Sequence, residues 1–237
     1  MIDWVINSIL CEQIDEIVVA VSGTVGSDSL ERVLSHIHGI CIDSYLKNSN
    51  YACPIYTIPT PQRETAGDLV YVLEELGMKS GEVLVVYGDN LTTFDMPQFI
   101  AYHQNCSREL KTAATVALFE APEKELHRFG IAEVKKVGAF DLIANFVEKP
   151  SPGQAKSRLA SAGYYILNVA DTSELLSRER KKVEHSLFPT LASQNRLAAF
   201  VTKLPYWIDI STIEAYNSAN QMAHENLILP PPGDKNE

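Results

Sequence analysis

The chain has 237 residues, 46% of them hydrophobic and 21% charged, the balance of an ordinary globular protein. That length buries a sizeable core, as one large α/β domain or two small ones. Thirty acidic against twenty basic residues leave a net charge of −10, which argues against a general nucleic-acid binder. A nucleotide is still admissible, because it needs only a local cluster of cations or a metal.

Cys11, Cys41, Cys53 and Cys106 form no C-x-x-C pair, so neither a zinc site nor a disulfide framework is indicated. His36 and His38, two apart on a helix, face different sides and do not read as a metal pair. No run of 18 apolar residues occurs, and the N-terminus lacks the basic-then-apolar pattern of a signal peptide. The expectation is a cytoplasmic protein with no membrane partner.

Apolar residues at 2, 5, 6, 9 and 10 predict a helix over 2–10, and Ile17-Val-Val-Ala-Val21 a strand ending in Ser22-Gly23. Asp28 with Glu31 opens a second helix, with Leu30, Val33, Leu34 and Ile37 on its core face. The segment 39–53 carries no clear period, although 41–46 could extend that helix. A short strand over 55–58 leads through a Pro-rich loop, 59–67, to a helix with Leu69, Val72, Leu73 and Leu76, stopped by Gly77.

The run Glu82-Val-Leu-Val-Val-Tyr-Gly-Asp89 organises the rest. Its unbroken apolar stretch between glycines reads as a strand over 82–87, buried on both faces of a parallel sheet. Ligands of open α/β sheets bind beyond the carboxyl ends of strands, where Asp89 stands and Gly88 permits close approach. Asp95 and Gln98 cap a helix over 96–106.

Past residue 110 the pattern changes to strands over 112–119, 129–137 and 141–147, with Gly138-Ala139 a tight hairpin turn. A short helix over 154–160, a strand over 161–167, helices over 171–179 and 184–193, and a strand over 197–201 follow. Ser211 and Glu214, at capping-box spacing, open a last helix over 212–225. The fold class is α/β: a Rossmann-like, mixed, mostly parallel sheet flanked by helices, with an antiparallel subregion. One domain is expected over 1–228, and a disordered tail over 229–237.

Three distant features carry chemistry. Asp89 ends one strand, and Glu148-Lys149-Pro150 ends another, Pro150 stopping the ladder and leaving both charges at the tip. Asp209 follows Trp207 just before a helix. Two carboxylates from different elements suit Mg²⁺ whose other ligands are substrate phosphates, and a nearby lysine neutralises phosphate charge. Each feature alone has a plainer reading: a turn residue, a surface ion pair, an acid at a helix start.

Together they resemble the sugar-1-phosphate nucleotidyltransferases. Glu64-Thr-Ala-Gly67 is similar to that family's base-contacting loop, and Tyr87-Gly-Asp-Asn-Leu91 to its metal-aspartate motif. Phe129-Gly130-Ile131 resembles the sugar-contacting turn, and Phe146-Val-Glu-Lys-Pro150 the motif holding sugar hydroxyl and phosphate. Ser161-Ala-Gly-Tyr-Tyr-Ile-Leu167 resembles the strand lining the sugar pocket, and Trp207-Ile-Asp-Ile-Ser-Thr212 the second metal aspartate. The resemblance implies Mg²⁺ on Asp89 and Asp209, with Lys149 as the third catalytic residue. It also implies substrate contacts from Glu148, Gly130, Gly163, Tyr164, Thr65, Ala66 and Gly67, and a nucleoside triphosphate and a sugar-1-phosphate as substrates.

The family opens with a strand and a glycine-rich loop bearing an arginine and a lysine, which have no counterpart after Met1. The strands at 17–21 and 83–87 are therefore expected either to leave a gap or to pair with each other. Glu64 and Ser211 stand where the family has glycine. A non-catalytic binding subunit or pseudoenzyme, partnered by a paralogue, is the alternative reading, alongside a homo-oligomeric enzyme. A glycosyltransferase is a third, although Asp89-Asn90-Leu91 lacks the second acid of its Asp-x-Asp motif.

Overall fold

The computed structural model describes residues 2–23, 30–151, 153–176 and 178–228, and for 30–38 the backbone alone. The expected cap at Asp28 and Glu31, the core face of Leu30 to Ile37, the side chains of His36 and His38 and the tail over 229–237 lie outside the described residues.

The chain begins with α1 (Ile2–Ile9), whose Val5, Ile6 and Ile9 are buried, then β1 (Ile17–Ser22) and α2 (Leu30–Lys47). Next come β2 (Ile55–Thr60), α3 (Glu64–Glu75), β3 (Glu82–Val86) and a three-residue β4 (Asn90–Thr92) that the sequence reading did not anticipate. In α4 (Met96–Leu110) the Asp95 side chain accepts the Gln98 N–H at 2.9 Å, the expected cap. The helix runs one turn beyond the expected end, to Lys111 in the left-handed region (φ 57°).

The second half contains β5 (Ala114–Glu120), a 3₁₀ turn over Glu123–Arg128, and the hairpin of β6 (Gly130–Val137) and β7 (Phe140–Glu148) around Gly138. β8 (Leu159–Asn168), α5 (Val169–Thr172), α6 (Val183–Ser193), β9 (Leu197–Val201), β10 (Trp207–Asp209) and α7 (Ile213–His224) complete it.

Several expectations are corrected. No helix forms over 154–160: Gly153 is left-handed (φ 80°), and Leu159 and Ala160 are drawn into the sheet against β5 and β6. The helix expected over 171–179 shrinks to α5, because the charged stretch after it lies along α3, with Arg178 on Glu74 and Arg180 on Glu64. The cap of α7 is Thr212, whose Oγ1 accepts the Ala215 N–H at 3.1 Å, and not Ser211. Ser211 instead donates its N–H to Asp209 Oδ1 at 2.9 Å.

Six strands form the main sheet in the order β3-β8-β5-β9-β7-β6, and β6 also meets β8, turning the sheet back on itself. The sheet is mixed. β3, β5, β6 and β9 run one way and β7 and β8 the other, so most hydrogen-bonded neighbours are antiparallel. Helices cover it: α3 and α6 pack on one apolar cluster with Tyr165 and Phe188, and α1 and α4 on another with Tyr164 and Phe99.

β3 is not buried on both faces. Among the described residues it is an edge strand paired with β8 alone, and Val83, Leu84, Val85 and Val86 are all half-buried. Among the described residues β1 pairs with β2 alone, in a separate parallel pair. Among the described residues β1 and β3 do not pair with each other. Val19 of β1 and Leu84 and Val86 of β3 nevertheless pack on one cluster.

Candidate functional site

β4 brings the two distant acids together. It pairs antiparallel with β10 so that Asn90 faces Asp209, and the Ile210 N–H donates to the Asp89 carbonyl at 2.9 Å. Asp89 and Asp209 thus stand at one joint between strands 120 residues apart in the chain (209 less 89). Trp207 fixes β10: its ring stacks on Phe119 (5.5 Å) and meets Phe129 edge-on (5.0 Å), and its Nε1 donates to Ala162 O at 3.0 Å.

The electrostatics follow from that joint. Desolvation raises the Asp89 carboxyl pKa, and the Asp209 charge at the same joint raises it further. A divalent cation would relieve two neighbouring carboxylates, and oxygen donors of this kind suit Mg²⁺. Among the described residues no cluster of three His, Cys, Asp or Glu side chains forms, so the remaining ligands would come from substrate or water. Arg128, which the sequence reading missed, holds Nη2 4.0 Å from Asp209 Oδ2 and its guanidinium over the Phe129 ring.

The second group lies at the end of β7. Glu148 is opposite Gly130 in the hairpin register, and a Cβ on Gly130 would stand 2.8 Å from Glu148 Oε2 and 2.5 Å from the Phe146 ring. Only glycine leaves room there. Lys149 is exposed, in the left-handed region (φ 49°), with its N–H on Phe129 O at 2.9 Å. Burial raises the Glu148 pKa first, then the charge of Glu184; Lys149, Lys182 and His185 oppose the rise.

Gly163, also predicted, sits at a bulge of β8 opposite the register shift between Val116 and Leu118. Its φ is 82°, a Cβ there would meet Asn90 Nδ2 at 2.3 Å, and its carbonyl accepts the Tyr87 N–H at 3.1 Å. Tyr164 does not join this group. It points to the opposite face of the sheet, 1% exposed, beside Phe94 and within 3.2 Å of Ser8 Oγ. Side chains alternate along a strand, so Tyr165 packs on the other face, edge-on to Tyr87 and Phe188 and likewise buried.

Of the three loop residues expected to meet a base, Thr65 has its hydroxyl engaged with the Val183 N–H at 3.0 Å and the Glu184 carboxylate at 3.4 Å. Ala66 is fully buried with its N–H on Lys181 O at 3.0 Å, and Gly67 is packed under Arg63 and Glu179. Glu64 occupies the left-handed region (φ 62°), the backbone a glycine would supply, and its carboxylate is paired with Arg180 at 3.2 Å. Glu184, likewise missed, is buried at the head of α6 and accepts from the Tyr87 hydroxyl. A signal existed: it lies on the stripe of Leu187, Phe188 and Leu191, where an acid is out of place.

Fold and site define a mixed-sheet α/β protein with paired acids at one strand joint and a Glu-Lys tip beside a glycine-lined turn. The chain belongs to the nucleotidyl transferase family, whose model matches residues 1–226. It is 30% identical over 158 residues to a glucose-1-phosphate adenylyltransferase of Nitrosospira multiformis, covering 58% of this chain and 36% of that protein. A second, from Halalkalibacterium halodurans, is 31% identical over 160 residues, covering 63% of this chain and 39% of the relative. The chain therefore aligns with little more than a third of the length of these relatives.

Solved structures share the fold. An apo UDP-glucose pyrophosphorylase matches with a TM-score of 0.65 at 18% identity, over 96% of this chain and 86% of that one. A putative glucose-1-phosphate thymidylyltransferase from Bacillus anthracis, in complex with a sucrose, matches at 0.67 and 16% identity, over 94% and 82%. Among the described residues no helix is long and apolar enough to cross a membrane.

Proposed function

We propose that this chain joins a nucleoside triphosphate to a sugar-1-phosphate, giving a nucleotide sugar and pyrophosphate. The observation that supports the reading is the β4–β10 joint, where Asn90 pairs with Asp209, the Ile210 N–H meets the Asp89 carbonyl, and the Asp89 carboxyl feels the Asp209 charge. Family membership supports it, as do the names of the relatives, which make glucose 1-phosphate with ATP, UTP or dTTP the first substrates to try.

In this reading a phosphate oxygen of the sugar-1-phosphate attacks the α-phosphorus of the triphosphate. Asp89 and Asp209 hold Mg²⁺, which when bound supplies charge neutralisation for the reacting phosphates. Lys149 neutralises the sugar phosphate as a compact cation. Glu148 accepts from a sugar hydroxyl, and Gly130, having no Cβ, lets the ring approach it. Thr65 stands at the nucleotide side. Positioning and electrostatics carry phosphoryl-type transfer, so no side chain becomes a nucleophile.

The test is pyrophosphate release with Mg²⁺ across a matrix of four nucleoside triphosphates and a set of sugar-1-phosphates. Release from at least one pair is expected, with Asp89→Asn and Asp209→Asn each lowering it about a hundredfold or more. Silence across the matrix, with binding of neither substrate, overturns the reading.

A further inference from the structure

The reaction just described makes no use of Glu184, and its setting is unusual for a carboxylate. It is 8% exposed, in the first turn of α6, with Leu187, Phe188 and Leu191 buried on the same stripe. Among the described residues no cation forms an ion pair with it. Two hydroxyls serve it instead: Tyr87 Oη donates to Oε1, and Thr65 Oγ1 to Oε2 at 3.4 Å.

Each partner belongs to a different part of the site. Tyr87 is two residues before Asp89, its ring against Gly163. Thr65 heads α3, and its Oγ1 also accepts the Val183 N–H at 3.0 Å, so α3 and α6 are locked end to end. Behind them the Tyr165 hydroxyl is buried and meets no partner with hydrogen-bond geometry. On the open side the Glu184 charge is felt by Glu148.

A buried carboxylate served only by neutral donors costs stability relative to a neutral residue of the same shape. Such a residue is expected where binding requires it. We propose that Glu184 is a positioning residue: by holding Tyr87 and Thr65 together it keeps the strand end of Asp89, the head of α3 and the Glu148 pocket at one spacing, for a substrate that spans all three. The inference rests on the reading of the site as one for nucleotide and sugar phosphate.

Stability and binding should then move in opposite directions on neutralisation. Glu184→Gln in the full chain is expected to melt no lower than the parent by scanning calorimetry. Titration calorimetry with UDP-glucose and with ADP-glucose is expected to show binding about tenfold or more weaker. Thr65→Val should weaken binding in the same direction, and should add little on top of Glu184→Gln, because the two act as one unit. Unchanged binding in Glu184→Gln, or a lower melting temperature with binding intact, overturns the positioning role alone. A parent chain that binds neither nucleotide sugar, nor ATP, UTP or glucose 1-phosphate, overturns the reading of the site and the positioning role with it.

Discussion

Glu148 and Asp89 each hold their proton more tightly in the folded chain than in the unfolded one, because desolvation and a second carboxylate (Glu184 for Glu148, Asp209 for Asp89) outweigh the cations near Glu148 and the backbone hydrogen bond at Asp89. A carboxyl raised in this way adds stability below its ordinary pKa and loses it as the pH rises through the raised value. At neutral pH the charged form is therefore a cost that the fold carries at its site. Glu148→Gln should melt at or above the parent at pH 7, with the difference closing as the pH falls toward about 4.3. Melting curves over that range check it, and a Gln variant that melts lower at pH 7 but equal at pH 4 contradicts it. On the proposed function, the same substitution should weaken sugar-1-phosphate binding, since an amide replaces the acceptor beside Gly130.

Elements are held by local chemistry that was largely legible. α4 has an acid cap at Asp95, Pro97 in its first turn and Arg108 in its last, and it forms as expected. Its end was misjudged because Lys111 gives no stop signal: it takes the left-handed cap that glycine usually fills. Lys111→Gly should therefore stabilise the chain by about 0.5–1 kcal/mol, read as a higher denaturant midpoint at unchanged slope. The helix predicted over 154–160 failed for a related reason. Its few apolar residues satisfy a helical period, but β5 and β6 offer Leu159 and Ala160 backbone partners that a local pattern does not contain.

Across the whole molecule, packing is uneven. β5, β8 and β9 lie inside the six-stranded sheet, and nearly all their apolar residues are fully buried. β1 and β2 form a pair of their own, and β3 is bonded along one edge only. Amide hydrogen exchange should follow this division. β1, β2 and the free edge of β3 should exchange well before β5, β8 and β9, and uniform protection across all six would contradict the strand order. An apolar run such as Val83 to Val86 is the usual mark of a strand covered on both sides. Here its half-buried state depends on neighbours, which the run itself cannot specify.

From its sequence alone the chain declared an α/β class, most of its strands and helices, the paired acids at 89 and 209 and the Glu-Lys tip at 148 and 149. The elements follow from hydrophobic period, caps and turn residues, which act over a few neighbouring positions, whereas the joint role of the two acids and of the tip is what the family resemblance implies. Tertiary structure alone decided that Tyr164 and Tyr165 are buried in different clusters, that Ala66 and Gly67 are packed away, that the Glu184 charge reaches Glu148, and that Arg128 stands beside Asp209. Which face of a strand is the inner one, and which distant charge arrives next to it, depends on strand order and register. A one-residue change in either would exchange the two tyrosines.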